Sequence, residues 1–251
     1  MNKIELVTGG SRGLGKDMAL RLAEKGNDVI ITYNNNQVDA EAVVAQIKEM
    51  GNKAAAIQLN LSVFGSIDSF VKSILETLSE IFEGQKLDYL INNAGMGATI
   101  PFVNVTESDF DDFMNVHFKG VYFLTQKLLP HLNDGGGIIN ISTGTTRFCN
   151  PGYSVYASMK SAVETLTRYL AKELGQRGIR ANIIAPGPIE TDFNNAGIRS
   201  NEKMKGYLAS ITALGRVGEV EDIGSVVAFL CSNECRWING QRIEVSGGIN
   251  L

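Results

Sequence analysis

Ile4-Glu5-Leu6-Val7-Thr8-Gly9-Gly10-Ser11-Arg12-Gly13-Leu14-Gly15 is a short apolar run that breaks into glycines and then enters a helical period. Gly9, Gly13 and Gly15 follow a GxxxGxG spacing rather than the commoner GxGxxG. The physical requirement is the same in both. The chain must turn sharply, bring its backbone against a pyrophosphate, and offer free N–H groups at a helix start. A glycine-rich segment alone could be an ordinary strand–helix turn. Its position after the first strand and at the opening of a helix favours a dinucleotide site.

Working outward, short β-branched runs alternate with helical periods along the whole chain. Strands are predicted over 3–8, 28–33, 53–59, 87–92, 137–142, 179–185 and 241–245. Helices are predicted over 13–25, 37–50, 65–82, 106–132, 154–176 and 220–231. The clearest helix carries Met159, Val163, Leu166, Leu170 and Leu174 on one face, with Gly178 just beyond its end. Strand–helix alternation with mostly continuous apolar strands predicts an α/β fold of the Rossmann type. This is a doubly wound parallel sheet of about seven strands with helices on both faces. Ligands of such sheets bind beyond the carboxyl ends of the strands.

Composition bounds the function. The chain has 251 residues, 44% of them hydrophobic, and a net charge of −4. That is enough for one large core, and no linker or repeat divides it, so 1–251 is read as a single domain. The charge balance argues against nucleic acid as a partner. No apolar run approaches a membrane span or a signal peptide, which points to a cytoplasmic protein. Cys149, Cys231 and Cys235 form a sparse, odd set with no zinc spacing, and no metal site is expected. Cys231 and Cys235 are read as reduced thiols, and Cys149 as a small residue bordering the substrate pocket.

Tyr156 and Lys160 are four apart on the fifth predicted helix and share a face. A nearby ammonium favours phenolate, so the pair is expected to make an activated tyrosine. Ile138-Ile139-Asn140-Ile141-Ser142-Thr143 reads as a buried strand ending in hydroxyls, with Ser142 placed to orient a carbonyl. Asn92-Asn93-Ala94-Gly95 ends another strand in a form suited to a backbone passing close to a ligand. Asn115 occupies a helix interior, where asparagine is not favoured.

Taken together, these segments resemble the short-chain dehydrogenase/reductases, in the family's order and over nearly the whole chain, with Pro186-Gly187-x-x-x-Thr191 and Ile243-Glu244-Val245-Ser246-Gly247-Gly248 completing the set. Among them the pattern is similar to 3-oxoacyl thioester reductases. The resemblance implies strand order 3-2-1-4-5-6-7, Tyr156 as acid/base, Lys160 on the nicotinamide ribose and in the proton relay, Ser142 on the carbonyl, and Asn115 holding a relay water. It implies cofactor contacts from Gly9, Ser11, Arg12, Gly13, Leu14, Gly15, Asn34, Asn60, Leu61, Asn92, Ala94, Gly95, Tyr156, Lys160, Pro186, Gly187, Ile189 and Thr191. It also implies a homotetramer, consistent with the apolar Val121, Tyr122, Phe123 and Leu128. Where the family often carries an acid after the third strand, this chain has Asn60.

The second strand ends Tyr33-Asn34-Asn35-Asn36, with no acid before Asp39. Selection of NAD needs a carboxylate there. The neutral run together with Arg12 predicts NADP(H). The substrate is expected to be a small carbonyl or alcohol, bounded by Met96, the segment 143–153, Pro188, and a lid over 192–211. His131-Leu132-Asn133-Asp134 lacks the basic residues that would greet an acidic carrier protein, and Arg177 alone is thin support. His117 is read as a surface or subunit-contact residue, and Trp237 as packing under the last strand. A non-catalytic dinucleotide sensor is the alternative of another class.

Overall fold

The computed structural model describes residues 2–63 and 65–251; Met1, at the head of the first apolar run, lies outside them. Seven strands form one all-parallel sheet: β1 (Ile4–Val7), β2 (Asp28–Tyr33), β3 (Ala54–Gln58), β4 (Leu87–Asn92), β5 (Leu132–Ile141), β6 (Arg180–Pro186) and β7 (Arg242–Val245). Their spatial order is β3-β2-β1-β4-β5-β6-β7, as the family resemblance implied.

One face is covered by α1 (Gly13–Glu24), α2 (Gln37–Glu49) and α9 (Val220–Leu230), through Met18, Leu22, Val43, Ile223 and Val227 on Val29, Ile31, Ile91 and Ile184. The other is covered by α3 (Ser66–Glu80), α5 (Gly120–Leu128) and α6 (Ser154–Glu173), through Phe70, Ile74, Leu124, Leu128 and Ala171 on Leu6, Ile30, Leu90 and Ile138. Burial on both faces is why the strands read as continuous apolar runs.

The helix predicted over 106–132 is not one helix. It begins as α4 (Glu107–Met114), capped reciprocally by Thr106 and Asp109. It widens into a π turn over Asn115–Lys119, continues as α5, and closes in a 3₁₀ turn over Leu129–His131 that contains Pro130. β5 starts at Leu132, five residues earlier than predicted, with a register irregularity against β4 between Leu87 and Tyr89. Within 192–211 lie two short helices, α7 (Phe193–Ala196) and α8 (Glu202–Ser210).

At the amino end of the sheet, polar groups are gathered into the core. The Arg180 guanidinium donates to Cys235 O at 3.2 Å and Sγ at 3.1 Å, Tyr89 Oη at 2.9 Å, Leu230 O at 3.2 Å and Ser232 O at 3.4 Å. Tyr89 reaches it across Gly137, where a Cβ would come within 2.8 Å of the ring. Glu5 is fully buried, with Asn27 Nδ2 donating to Oε1 at 3.1 Å and Oε2 left without a partner. Burial pushes its carboxyl well above the usual range. Cys231 and Cys235 are buried free thiols and Cys149 is an exposed one. Trp237 is 97% exposed, which corrects the expectation that it packs beneath β7.

Candidate active site and dinucleotide cradle

The glycine turn is pinned from behind and open in front. Thr8 Oγ1 accepts the Asn93 and Ala94 amides at 2.9 Å each, and Asn93 Nδ2 donates to Thr8 O at 2.9 Å. Gly9 N donates to Thr32 Oγ1 at 3.0 Å. Gly9 and Gly13 have φ of +67° and +55°, in the left-handed region. A Cβ at Gly15 would lie 2.1 Å from Gly9 O, so the helix start could not approach the turn with any other residue there. No side chain caps the start of α1 among the described residues, leaving its first amides for a ligand. Thr191, buried after β6, faces Gly13 from across the opening. Gly187 lets its backbone pass close to Ser246, where a Cβ would sit 2.8 Å from Ser246 Cα.

Arg12 is exposed beside this turn and engages no side chain or carbonyl among the described residues. Asp39, the first acid after β2, is committed to the start of α2: Asn36 Nδ2 donates to its Oδ2 at 2.5 Å, and its amide donates to Asn36 Oδ1 at 3.1 Å. Asn34 is exposed, with its carbonyl accepting from Gln58 Nε2 at 2.9 Å. Asn60 Oδ1, where the family often carries an acid, accepts from the Ser62 amide at 3.0 Å and hydroxyl at 2.7 Å and so shapes its own loop. Leu61 is partly buried beside Gly120.

Asn92 departs from its expected role. Its amide points into the core, donating to Thr125 Oγ1 at 3.1 Å and Asn140 Oδ1 at 2.8 Å, so any contact with a dinucleotide runs through its backbone. Asn93 is the residue that holds the turn.

Tyr156 and Lys160 share a face of α6, Lys160 buried and Tyr156 half-buried, with Lys160 Nζ 5.8 Å from the tyrosine ring centroid. Lys160 Nζ donates to Ile141 O at 2.7 Å, and burial pushes its pKa down to about 8. Burial also dominates at Tyr156 and pushes its pKa upward, while a hydrogen bond with the Thr143 hydroxyl acts in the opposite direction. Burial of the phenol works against the phenolate expected from the Tyr–Lys spacing, and the Lys160 ammonium is aimed at a carbonyl.

Ser142 is likewise turned away from Tyr156. Its hydroxyl donates to Glu164 Oε1 at 2.6 Å, an oxygen that also accepts from Thr146 Oγ1 at 2.8 Å and Arg242 Nε at 2.9 Å. Strand alternation is the reason. Asn140 and Ser142 face α6 and meet Thr167 and Glu164, three apart on one helix face; Thr143, on the opposite parity, is the hydroxyl bonded to Tyr156. Asn140-x-Ser142 set against Glu164-x-x-Thr167 was the signal in the sequence that could have found this. Arg242 Nη2 also donates to Thr143 O at 3.2 Å, and its Nη1 to Glu244 Oε2 at 2.9 Å. Arg147 grips Glu244 through two bonds of 2.9 and 2.8 Å. Partial burial works against the Glu244 carboxylate, but hydrogen bonds from Arg147, Arg242 and Ser246 hold its pKa down to about 2.

Asn115, expected to serve the relay, stands at the head of the π turn, where its carbonyl accepts the Gly120 amide. The ring that this turn brings to Tyr156 belongs to His117, edge-on at 5.1 Å between centroids. His117 is 1% exposed, which corrects its reading as a surface residue.

Over the front of the site, the Phe193 ring lies 6.1 Å from that of Tyr156 and covers Gly97. Asn194 Nδ2 donates to Tyr153 Oη at 2.9 Å and Thr99 Oγ1 at 3.1 Å. No group of three His, Cys, Asp or Glu suited to a metal occurs among the described residues, and no helix there is long and apolar enough to cross a membrane.

A family model described as enoyl-(acyl carrier protein) reductase matches residues 9–250. The chain is 37% identical to a 3-oxoacyl-[acyl-carrier-protein] reductase, FabG, of Staphylococcus epidermidis, over the full length of both proteins. Among solved structures it is similar to the angucycline C-6 ketoreductase LanV with bound NADP (TM-score 0.94, 35% identity, 99% of this chain and 95% of that one). It is also similar to a short-chain dehydrogenase from Burkholderia cenocepacia in complex with NADP (TM-score 0.90, 36% identity, 99% and 98%).

Proposed function

The chain belongs to the short-chain dehydrogenase/reductase family and is an NADP(H)-dependent oxidoreductase of the ketone/secondary-alcohol pair, and we propose that Tyr156 is its proton donor, with Thr143 on the carbonyl and Lys160 behind. The observation that carries this reading is Tyr156 set beside the Thr143 hydroxyl with Lys160 Nζ 5.8 Å from its ring centroid. Hydride is supplied to the carbonyl carbon by the reduced nicotinamide when it is bound. The glycine turn, with Gly9 and Gly13 in the left-handed region and the first amides of α1 uncapped by any side chain among the described residues, fits such a dinucleotide. Ser11, Leu14, Ala94, Gly95, Pro186 and Ile189 complete its walls in our reading, and Arg12 takes the extra phosphate. Thr143 orients the carbonyl oxygen against the Tyr156 hydroxyl, which gives up its proton as the alkoxide forms. Lys160, with a pKa near 8, can return a proton near neutral pH.

We read 1–251 as one catalytic domain and 192–211 as its lid, with Phe193 walling the pocket. The substrate we favour is a free, partly apolar ketone. Arg177, the cation that could receive an acidic carrier, is already spent on Asp134 Oδ1 at 2.7 Å, Leu129 O at 3.0 Å and Leu132 O at 2.7 Å. The similarity to FabG favours a second reading, a 3-oxoacyl thioester. A cytoplasmic homotetramer fits the exposed Tyr122, Phe123, Tyr169 and Trp237. The deciding experiment is turnover of cyclic and aromatic ketones, diketones, and acetoacetyl groups on coenzyme A and on carrier protein, with each reduced nicotinamide. We expect free ketones with NADPH to lead. Faster turnover of the carrier-borne thioester would install the second reading, and cofactor binding with no turnover anywhere would favour a sensor.

A further inference from the structure

His117 is a buried, titratable ring in contact with the acid, and the mechanism above assigns it nothing. Its Nε2 lies 2.8 Å from Met96 O and 3.3 Å from the Met96 amide; the shorter contact to the carbonyl, which can only accept, puts the proton on Nε2. Nδ1 is then a bare acceptor, and it is buried without a partner. Such an atom costs free energy unless it is used. The ring stacks on Phe113 at 5.5 Å and meets Tyr156 edge-on at 5.1 Å. Its Cε1–Nδ1 edge runs along Gly95, where a Cβ would come within 3.0 Å of Cε1. The glycine ending the Asn-Asn-Ala-Gly segment therefore admits the imidazole. The groups that face it are Phe113 from α4, Gly95 and Met96 after β4, and Tyr156 and Lys160 from α6; Lys160 carries the only charge among them.

Resting on the function proposed above, we infer that His117 is a positioning residue for Tyr156: as the Nε2–H tautomer it fixes the phenol ring edge-on, and its bare Nδ1 is a buried hydrogen-bond acceptor beside the Tyr156–Lys160 pair. A cationic imidazole would repel the Lys160 ammonium, so the neutral ring is the working form. Burial first and the Lys160 charge second push its pKa well below the usual histidine range.

Two arms test this. In the first, imidazole ¹⁵N resonances are followed with pH; the chain has two histidines, so one other signal has to be distinguished. Nδ1 of His117 should stay unprotonated through the range around pH 6.5 where an ordinary histidine titrates, and Lys160→Met should move its titration upward. A protonated Nδ1 in the wild type, or a titration that Lys160→Met leaves unmoved, overturns the inference. This arm needs no turnover, so an inactive wild type would sink the function and leave the inference to be judged here. In the second arm, His117→Phe keeps a flat ring and removes both nitrogens. NADPH affinity and KM should stay within about threefold, kcat should fall about tenfold or more, and the pH profile of kcat should move. His117→Asn, which restores an acceptor, should recover at least about threefold of that loss and covers the case in which the Phe variant does not fold. Wild-type kcat and pH profile in His117→Phe, or an Asn variant no faster than the Phe one, overturns the inference.

Discussion

The two ends of the sheet bury polar groups to opposite ends. At the amino end the Arg180 guanidinium makes five contacts that join β4, β6 and the segment after α9, and the bare Oε2 of Glu5 sits on a carboxyl whose pKa burial pushes up, so that it can carry its own proton. At the carboxyl end, burial pushes the Tyr156 pKa upward, His117 holds a bare nitrogen, and Arg12 is exposed with no side-chain partner among the described residues. Saturated polar clusters fix a fold. Unsaturated ones, held in position by a saturated ring around them, are where a ligand completes the structure. Here that ring is Glu164, Arg242, Glu244 and Arg147, which anchor the Ser142–Arg147 segment without reaching the reacting hydroxyl.

The comparison breaks most sharply if the carboxyl end turns out to be structural. Tyr156→Phe should lower kcat by about 10²-fold or more with NADPH affinity unchanged; single-turnover reduction at saturating cofactor measures it. At the other end, Arg180→Met should cost about 2–4 kcal/mol in urea unfolding, because Tyr89 Oη and the carbonyls of Leu230 and Cys235 lose their donor, while kcat of the folded variant holds. Within the carboxyl end, Thr143→Val should lower kcat about tenfold or more, whereas Ser142→Ala should change it less than about threefold and show up in the melting temperature instead. Equal kinetic losses would mean that strand parity does not separate the two roles. Arg12→Ala should shrink the NADPH-over-NADH advantage in kcat/KM by about tenfold, through NADPH alone.

The smallest effect is read as a slope. Glu5 has its folded pKa raised, so the folded chain keeps a proton that the unfolded chain releases, and stability falls as pH climbs above the ordinary value of 4.5. Lys160 has its folded pKa lowered from 10.5 to about 8, so the unfolded chain binds the extra proton and stability rises with pH across that window. Glu5→Gln should flatten the first slope and Lys160→Met the second, each leaving the other in place in unfolding curves taken from pH 4 to 10.

The fold was legible because it rests on features that need few residues. Apolar runs announced most strands, and Gly9, Gly13 and Gly15 marked the turn, Gly9 and Gly13 through their left-handed φ and Gly15 through its close approach to Gly9 O. The site was legible in outline only. Tyr156 and Lys160 are bound by helical spacing, which a sequence states directly. Ser142 and Thr143 are neighbours of opposite parity, and only their partners across the sheet, Glu164 and Tyr156, tell them apart. His117 was hidden because spacing from Asn115 gives a helix face and not what covers it; here Phe113 and Tyr156 do. Trp237 was misplaced because aromaticity suggests burial, and nothing local in the sequence says that a segment leading into an edge strand stands in solvent.

The π turn over Asn115–Lys119 also gives the chain a codon it can lose. A turn closed from i to i+5 holds one residue more than an α turn. Taking one codon from 115–119 and letting the helix wind at its ordinary rate of about 3.6 residues per turn leaves α4 and α5 in nearly the phase they have now. Phe113, packed beneath Tyr156, and Val121 and Leu124, buried farther along the same helix, could then all stay where they are. In-frame single-codon deletions across 115–119 should be tolerated according to the side chain each removes, whereas single-codon deletions within α4 or α5 themselves should be damaging, a contrast that a deletion scan would expose.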